Sequence, residues 1–281
     1  MTIDTIITLI VYLAVCFFLF AIGKAIYQLF NRDIDVGDEL VEKDNPAFAI
    51  SHAGYFIGLI IALGGSIVGP SHGIIEDLYD MIFYGLISII LLNLSMIICD
   101  RLILRKFSTR KEIIEDRNAG TGVVEAAVAV GTGLIIHAAI SGEGGSVYTA
   151  LGYWGIGQAA MILATFAYNL ITPYDIHEHI EADNVAVGVG FAGAIVAIAN
   201  VIRSSLSGDF VTWQDTFSDL WLYLLVGLIF LPVARFLADK ILLPGRKLTD
   251  EMVNQEHPNL GAAIIVASAY IGGSMFITWC L

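Results

Sequence analysis

The chain has 281 residues, of which 57% are hydrophobic and 15% charged, with 28 glycines and a net charge of −13; its mean hydropathy is +0.78. So apolar and glycine-rich a composition excludes a soluble enzyme and specifies an integral membrane protein. The negative charge argues against nucleic acid as a partner, and Cys16, Cys99 and Cys280 are isolated in apolar runs, with neither metal-ligand spacing nor a disulfide framework.

A hydrocarbon core of ~30 Å needs about 20 helical residues, and eight segments are long enough: 6–29, 47–68, 78–104, 119–141, 147–172, 185–207, 220–243 and 260–281. The first follows Asp4 and lacks a basic leader, so it reads as a retained anchor and not a cleaved signal. Short turns opening at Gly69, Gly142 and Gly208 join alternate spans, each Gly lying 24 residues after an Asn discussed below, as expected past a helix C-terminus. The other linkers are longer and acidic. Stretches such as Asp38-Glu39-Leu40-Val41-Glu42, Glu112-Ile113-Ile114-Glu115 and Asp250-Glu251-Met252-Val253 mix charge with apolar residues and suit short interfacial helices. Of the 14 Lys and Arg, all but Arg203 fall at or near these acidic linkers. The positive-inside rule therefore puts the linkers in the cytoplasm and both termini outside.

One phrase occurs four times. A Glu precedes an Asn by three positions in Glu42 and Asn45, Glu115 and Asn118, Glu181 and Asn184, and Glu256 and Asn259, and each Asn opens an apolar run. Such recurrence marks an internal repeat. Asn is a strong N-cap, Pro46 sits at the first helical position, where no donor is missed, and a nearby Glu suits the positive end of the helix. After each Asn, small residues recur at the same offsets: Ala47, Ala49, Ala53, Gly54 and Gly58 in the first copy, then Gly120, Gly122, Ala126, Ala127 and Gly131 in the second. At 100° per residue they form two faces about 140° apart. Small faces are how helices approach in lipid, so these four are expected to be the inner helices. A longer period is also present. Asp100-Arg101-Leu102 is echoed by Asp239-Lys240-Ile241, and Tyr27-Gln28-Leu29 by Tyr168-Asn169-Leu170. The expected fold is an all-α integral membrane protein: eight transmembrane helices as four hairpins, in two tandem four-helix repeats, residues 1–140 and 141–281, with the same membrane orientation. Parallel repeats of this kind are related by an axis along the membrane normal.

The doubled four-span unit, its acidic linker, the Asp-Asn steps at Asp44-Asn45 and Asp183-Asn184 and the Ala/Gly-rich helix that follows resemble the bacterial family called domain of unknown function 350. The resemblance covers essentially the whole chain. It implies an inner-membrane protein in a polyamine-related or envelope-stress context, and no particular reaction or catalytic residue.

Seven residues after the Asn stand His52 and Glu125 in the first half, but Phe191 and Val266 in the second. Glu125 lies about 10 Å past its helix start, within the hydrocarbon, and an ionisable group there is a functional hypothesis with a partner to be named. His52 is the first candidate, with His137, Lys24 and Arg101 as alternatives; a purely structural role in helix packing is the competing reading. If the four hairpins surround an axis, Glu42, Glu115, Glu181 and Glu256 form an acidic ring beside the capping Asn residues, able to gather a small cation or a polyamine. Arg235 and Asp239 are four apart and expected to pair, Asn93 and Gln158 to bond between helices, and Pro232 to kink the seventh span. Walker, dinucleotide-binding, HExxH and nucleophile-elbow motifs are absent. No catalytic role, metal or cofactor is assigned. The leading function is a channel or transporter for a small cation, proton or polyamine; the alternative, which the family resemblance implies, is a membrane scaffold that docks a cytoplasmic envelope-stress or polyamine-related partner. The lipid bilayer is the certain partner, and the sequence leaves a homo-oligomer open.

Overall fold

A computed structural model describes residues 3–69, 71–242 and 245–281. Pro70 of the first turn and Leu243, the expected end of the seventh span, lie outside the described residues. In chain order the helices are α1 (Ile3–Phe30), α2 (Pro46–Gly64), α3 (Ile74–Leu102), α4 (Thr109–Ile114), α5 (Ala119–Ser141), α6 (Val147–Ile171), α7 (Ile176–Glu181), α8 (Val185–Leu206), α9 (Trp213–Leu237), α10 (Leu248–Met252) and α11 (Leu260–Cys280). Among the described residues eight helices are long and apolar enough to cross a membrane. The short helices α4, α7 and α10, and a π turn at Asp38–Glu42, fill the acidic linkers. Both α3 and α9 start earlier than hydropathy suggests. Glu76, Asp77 and Asp215 in their first turns favour the positive helix end, and Thr212 accepts from the Asp215 amide. Helix α9 runs on through Pro232 and ends in a second π turn at Ala238–Leu242.

The helices form two layers. In the inner row α2 packs on α5, α5 on α8 and α8 on α11; in the flanking row α3 sits over the α2–α5 joint, α6 over α5–α8 and α9 over α8–α11, with α1 beside α2 and α3. Contacts along α2 and α5 climb together: Gly54 meets Ala126, Gly58 meets Ala129 and Gly133, and Gly65 meets His137. The two helices are therefore parallel. A Cβ built at Gly54 would lie 2.3 Å from the Ala126 Cα, and one at Gly133 would lie 2.3 Å from the Gly58 carbonyl oxygen. At such separations backbone meets backbone, the dispersion-rich packing that joins helices where water gives no hydrophobic drive. The same offsets recur at the third joint, where a Cβ at Gly193 would lie 2.4 Å from the Ala267 Cα.

The inner row is open. A four-membered ring needs faces 90° apart, whereas two small faces about 140° apart turn the row by only about 40° at each joint. Helices α2 and α11 accordingly share no packed interface. The acidic ring expected from four hairpins about one axis is thereby replaced by a line of repeats. Arg235 and Asp239 do not pair either: Arg235 donates to Thr249 Oγ1 at 3.0 Å and lies over the Tyr174 ring, while Asp239 accepts from the Leu248 amide. Asn93 and Gln158 do bond across helices, to the Tyr55 hydroxyl and Thr132 Oγ1.

Candidate functional site

Each Asn of the repeated phrase caps its helix through its side-chain oxygen. Asn45, Asn118, Asn184 and Asn259 accept from the amides of Phe48, Thr121, Val187 and Ala262 at 3.0–3.1 Å. The carboxamide nitrogen does something the sequence did not disclose. It donates to a carbonyl of the next linker: Asn45 to Ile113 at 2.9 Å, Asn118 to Ile180 at 2.6 Å and Asn184 to Met252 at 2.9 Å. One side chain thus starts its own helix and ties that helix to the following hairpin. The residue before it is held in the left-handed region, with φ of 47° at Asp44, 55° at Arg117 and 61° at Asp183. In the fourth copy Pro258, whose ring fixes φ near −65°, replaces that residue.

The acids that serve these joints are not the four at offset three. Glu42, Glu115, Glu181 and Glu256 are exposed, one per repeat along the row. Their place beside the Asn is taken by Glu39 and Glu112, six residues upstream and buried, and by Glu251, which accept from Asn45, Asn118 and Asn259 at 2.9–3.0 Å. Burial works against the Glu39 charge, but Lys43 and Asn45 donate to it and the net result is a pKa below the ordinary carboxylate value. The Glu–Asn spacing common to the first two copies was readable. Its hydrogen-bond partners across the joint were not.

Inside the spans, Glu125 is half-buried at the α2–α5 joint and accepts a hydrogen bond from Ser51 Oγ. Ser51 is six residues past Asn45 and Glu125 seven past Asn118, so successive hairpins supply the two partners. His52 is not the partner. It is buried among Tyr27, Phe48 and Phe56, with ring centroids 4.5–5.1 Å away, and its Nδ1 has no hydrogen bond. His137 is farther along α5, with Nδ1 3.0 Å from the Ile61 carbonyl oxygen. Twelve residues of helix, about 18 Å at 1.5 Å per residue, separate it from Glu125. The three do not form one centre. Thr121, one turn before Glu125 and wholly buried, leaves its Oγ1 without a partner.

At the opposite end of the same region is an open cavity of about 310 Å³ between α1, α3, α5 and α6. Asp77, Asp80 and Glu143 line it. Tyr12 and Ser71 both donate to Asp77 at 2.5 Å, and His72 lies 3.7 Å from Glu143. Between cavity and Glu125, Gln158 donates to Thr132, Cys99 to Gln158 and Trp154 to Ser95 across α3, α5 and α6.

Comparison with known proteins fits this doubled layout. The family model described as Domain of Unknown Function (DUF350) matches residues 1–140 and again residues 144–281. The chain belongs to this family. Among DUF350 relatives, a UPF0719 transmembrane protein of Aquifex aeolicus (strain VF5) is 25% identical over 255 residues, covering 89% of this chain and 91% of that one. A UPF0719 transmembrane protein of Mycolicibacterium paratuberculosis (strain ATCC BAA-968 / K-10) is 29% identical over 130 residues, which are 46% of this chain and 84% of the relative. No solved structure matches. The chain is thus a multi-pass membrane protein built from two DUF350 copies.

Proposed function

We propose that the protein carries protons or small cations across the inner membrane, with Glu125 as the working carboxyl and the Asn-capped helix ends in the cytoplasm. The observation that carries this reading is the Glu125–Ser51 pair inside the hydrocarbon span, where a carboxyl is costly and an uncharged partner leaves it able to exchange a proton or meet a cation. The acidic cavity supports it as an entry on the opposite side, since clefts lined by one sign of charge concentrate counter-ions. The second half, with Phe191 and Val266 at the equivalent positions, then serves as the structural unit. Because the inner helices meet backbone to backbone, the path favoured is the groove between the rows.

Purified protein in proteoliposomes, loaded with a pH-sensitive dye and challenged with proton, sodium or potassium gradients, tests this. Glu125→Gln should lower the flux by tenfold or more, and Ser51→Ala by less. Flux equal to wild type in Glu125→Gln sinks the proposal. The scaffold reading draws on a different observation, the exposed line of Glu42, Glu115, Glu181 and Glu256. Under that reading wild-type liposomes show no flux, and a basic cytoplasmic protein or a polyamine binds in a salt-sensitive way that is lost when all four become Gln.

A further inference from the structure

The inner row ends at both edges with surfaces that are packed everywhere else in the molecule. On the leading side, the positions four, eight and fifteen past the Asn receive the preceding helix in copies two to four: Gly122, Ala126 and Gly133 in α5, then Gly188, Ala192 and Ala199 in α8. In α2 the equivalents are Ala49, Ala53 and Ile60. Among the described residues Ala49 is half-buried, while Ala53 and Ile60 are exposed, Ile60 at 58%. On the trailing side, the positions two, nine and thirteen past the Asn meet the following helix at Ala47, Gly54 and Gly58 and again at Gly120 and Gly131. In α11 these are Gly261, Ser268 and Gly272. A Cβ at Gly272 would meet nothing within 4 Å, and one at Gly261 only its own capping Asn259.

The polar part of the joint is interrupted at the same two places. Asn45, Asn118 and Asn184 each reach a carbonyl of the next linker, whereas Asn259 donates only to Glu251 of its own linker among the described residues. The carbonyls they reach belong to Ile113, Ile180 and Met252, all buried at 3% exposure or less, while the first-copy equivalent of Ile113, Leu40, is 37% exposed. Asn259, which reaches no following linker among the described residues, and the more exposed Leu40 thus stand where the two halves of the bond made three times within the chain would be.

We infer that α11 of one protein packs against α2 of a second copy in a head-to-tail joint that continues the inner row, with Asn259 of one copy donating to the Leu40 carbonyl of the other. The joint is continuous with an interface already formed three times. It is also specific as to occupant, because the surface complementary to the α11 edge is the α2 edge of the same sequence. Phe56 and Ile60 are bulkier than Ala129 and Gly133, their equivalents in α5, so this joint is wider than α2–α5. In α11 Tyr270 likewise occupies the Phe56 position, with Ser274 at that of Ile60. The Gly272 notch is where Ile60 would seat. A head-to-tail contact closes into a ring or runs on as an open array. With each joint turning about 40°, four hairpins make somewhat under half a ring, and closure takes two to three copies.

Cysteine pairing tests the joint in the full chain, in a background where Cys16, Cys99 and Cys280 are replaced by Ala. Ser268→Cys and Ala53→Cys correspond to Gly193 and Ala267, which are in direct contact within the chain. Co-expressed in one membrane, the two single variants should give an oxidised, reducible cross-linked species, and neither alone should do so. Cross-linking by either single variant alone would mean a two-fold contact and overturn the head-to-tail joint. As an independent measurement, native mass spectrometry from nanodiscs should show two- or three-copy assemblies for wild type. Gly272→Leu, which fills the notch where the isolated chain has open space, should shift these to single copies with an unchanged circular-dichroism melt. Single copies for wild type at all concentrations, or no cross-link in the mixed pair, would overturn the inference and leave lipid as the occupant of both edges.

Discussion

Replacing Asn118 by Ala should cost far more than replacing Asn259, although both residues cap a transmembrane helix with the same geometry. Asn118 is 1% exposed and makes three bonds: from the Thr121 amide at 3.0 Å, to Glu112 Oε2 at 2.9 Å and to the Ile180 carbonyl at 2.6 Å. Loss of the cap costs about 1 kcal/mol. Loss of the bond to a buried carboxylate costs about 1.5 kcal/mol or more, and loss of the bond to a carbonyl that retains the Asp183 amide costs about 1 kcal/mol. The sum is about 3–4 kcal/mol. Asn259 is exposed and holds only its cap and a solvent-facing bond to Glu251, so Asn259→Ala should cost about 1 kcal/mol. The difference of about 2–3 kcal/mol is a factor of about 30 to 140 in the unfolding equilibrium, resolvable by SDS titration of the protein in mixed micelles followed by circular dichroism. Asn184→Ala, which breaks the bond to Met252 but no acid contact, should fall between them. Equal losses for Asn118→Ala and Asn259→Ala would refute the reasoning that the Asn amide locks successive hairpins together.

Gly54→Ala should destabilise by about 1–3 kcal/mol, because the new methyl meets the Ala126 backbone, while Gly272→Ala should be neutral or slightly stabilising; the same SDS titration compares them. Arg117→Val should cost about 1–2 kcal/mol, since a β-branched residue must take φ of 55°, whereas Arg117→Gly should stay within about 1 kcal/mol of wild type. The Lys106–Asp175 ion pair holds the Asp175 carboxyl below its ordinary value. A lowered folded pKa contributes stability that is complete above the ordinary value and is lost as pH falls through the lowered one. The gap between wild type and Lys106→Met, about 0.5 kcal/mol at pH 7 for so exposed a pair, should therefore shrink as pH falls through and below the ordinary aspartate range in thermal melts; a gap unchanged in strong acid would assign it to packing.

Much of this protein follows from local chemistry that is legible residue by residue. Eight apolar runs must be helices because backbone groups in lipid have no other partner, each Asn must cap because of its own side-chain oxygen, and the four recurring sets of small residues announced which helices lie closest together. Even the openness of the row was latent in two faces about 140° apart, though the expectation of a ring passed over it. Tertiary structure decided whatever needed a partner distant in the chain. Glu125 could be recognised as out of place in a hydrocarbon span, but its meeting with Ser51 and not with the adjacent His52 depends on the rotation of α2 against α5. The exposed Glu42, Glu115, Glu181 and Glu256 looked like the acids of the repeat because they sit nearest the Asn in sequence. The π turn at Asp38–Glu42 and the short helix α4 turn Glu39 and Glu112 inward in their stead. Nor could the bonds from Asn45, Asn118 and Asn184 to the next linker be read from one strand of text. They join residues 62–68 positions apart, and a carbonyl carries no sequence signature, so only packing of one hairpin on the next reveals which carbonyl is met and which is left uncovered.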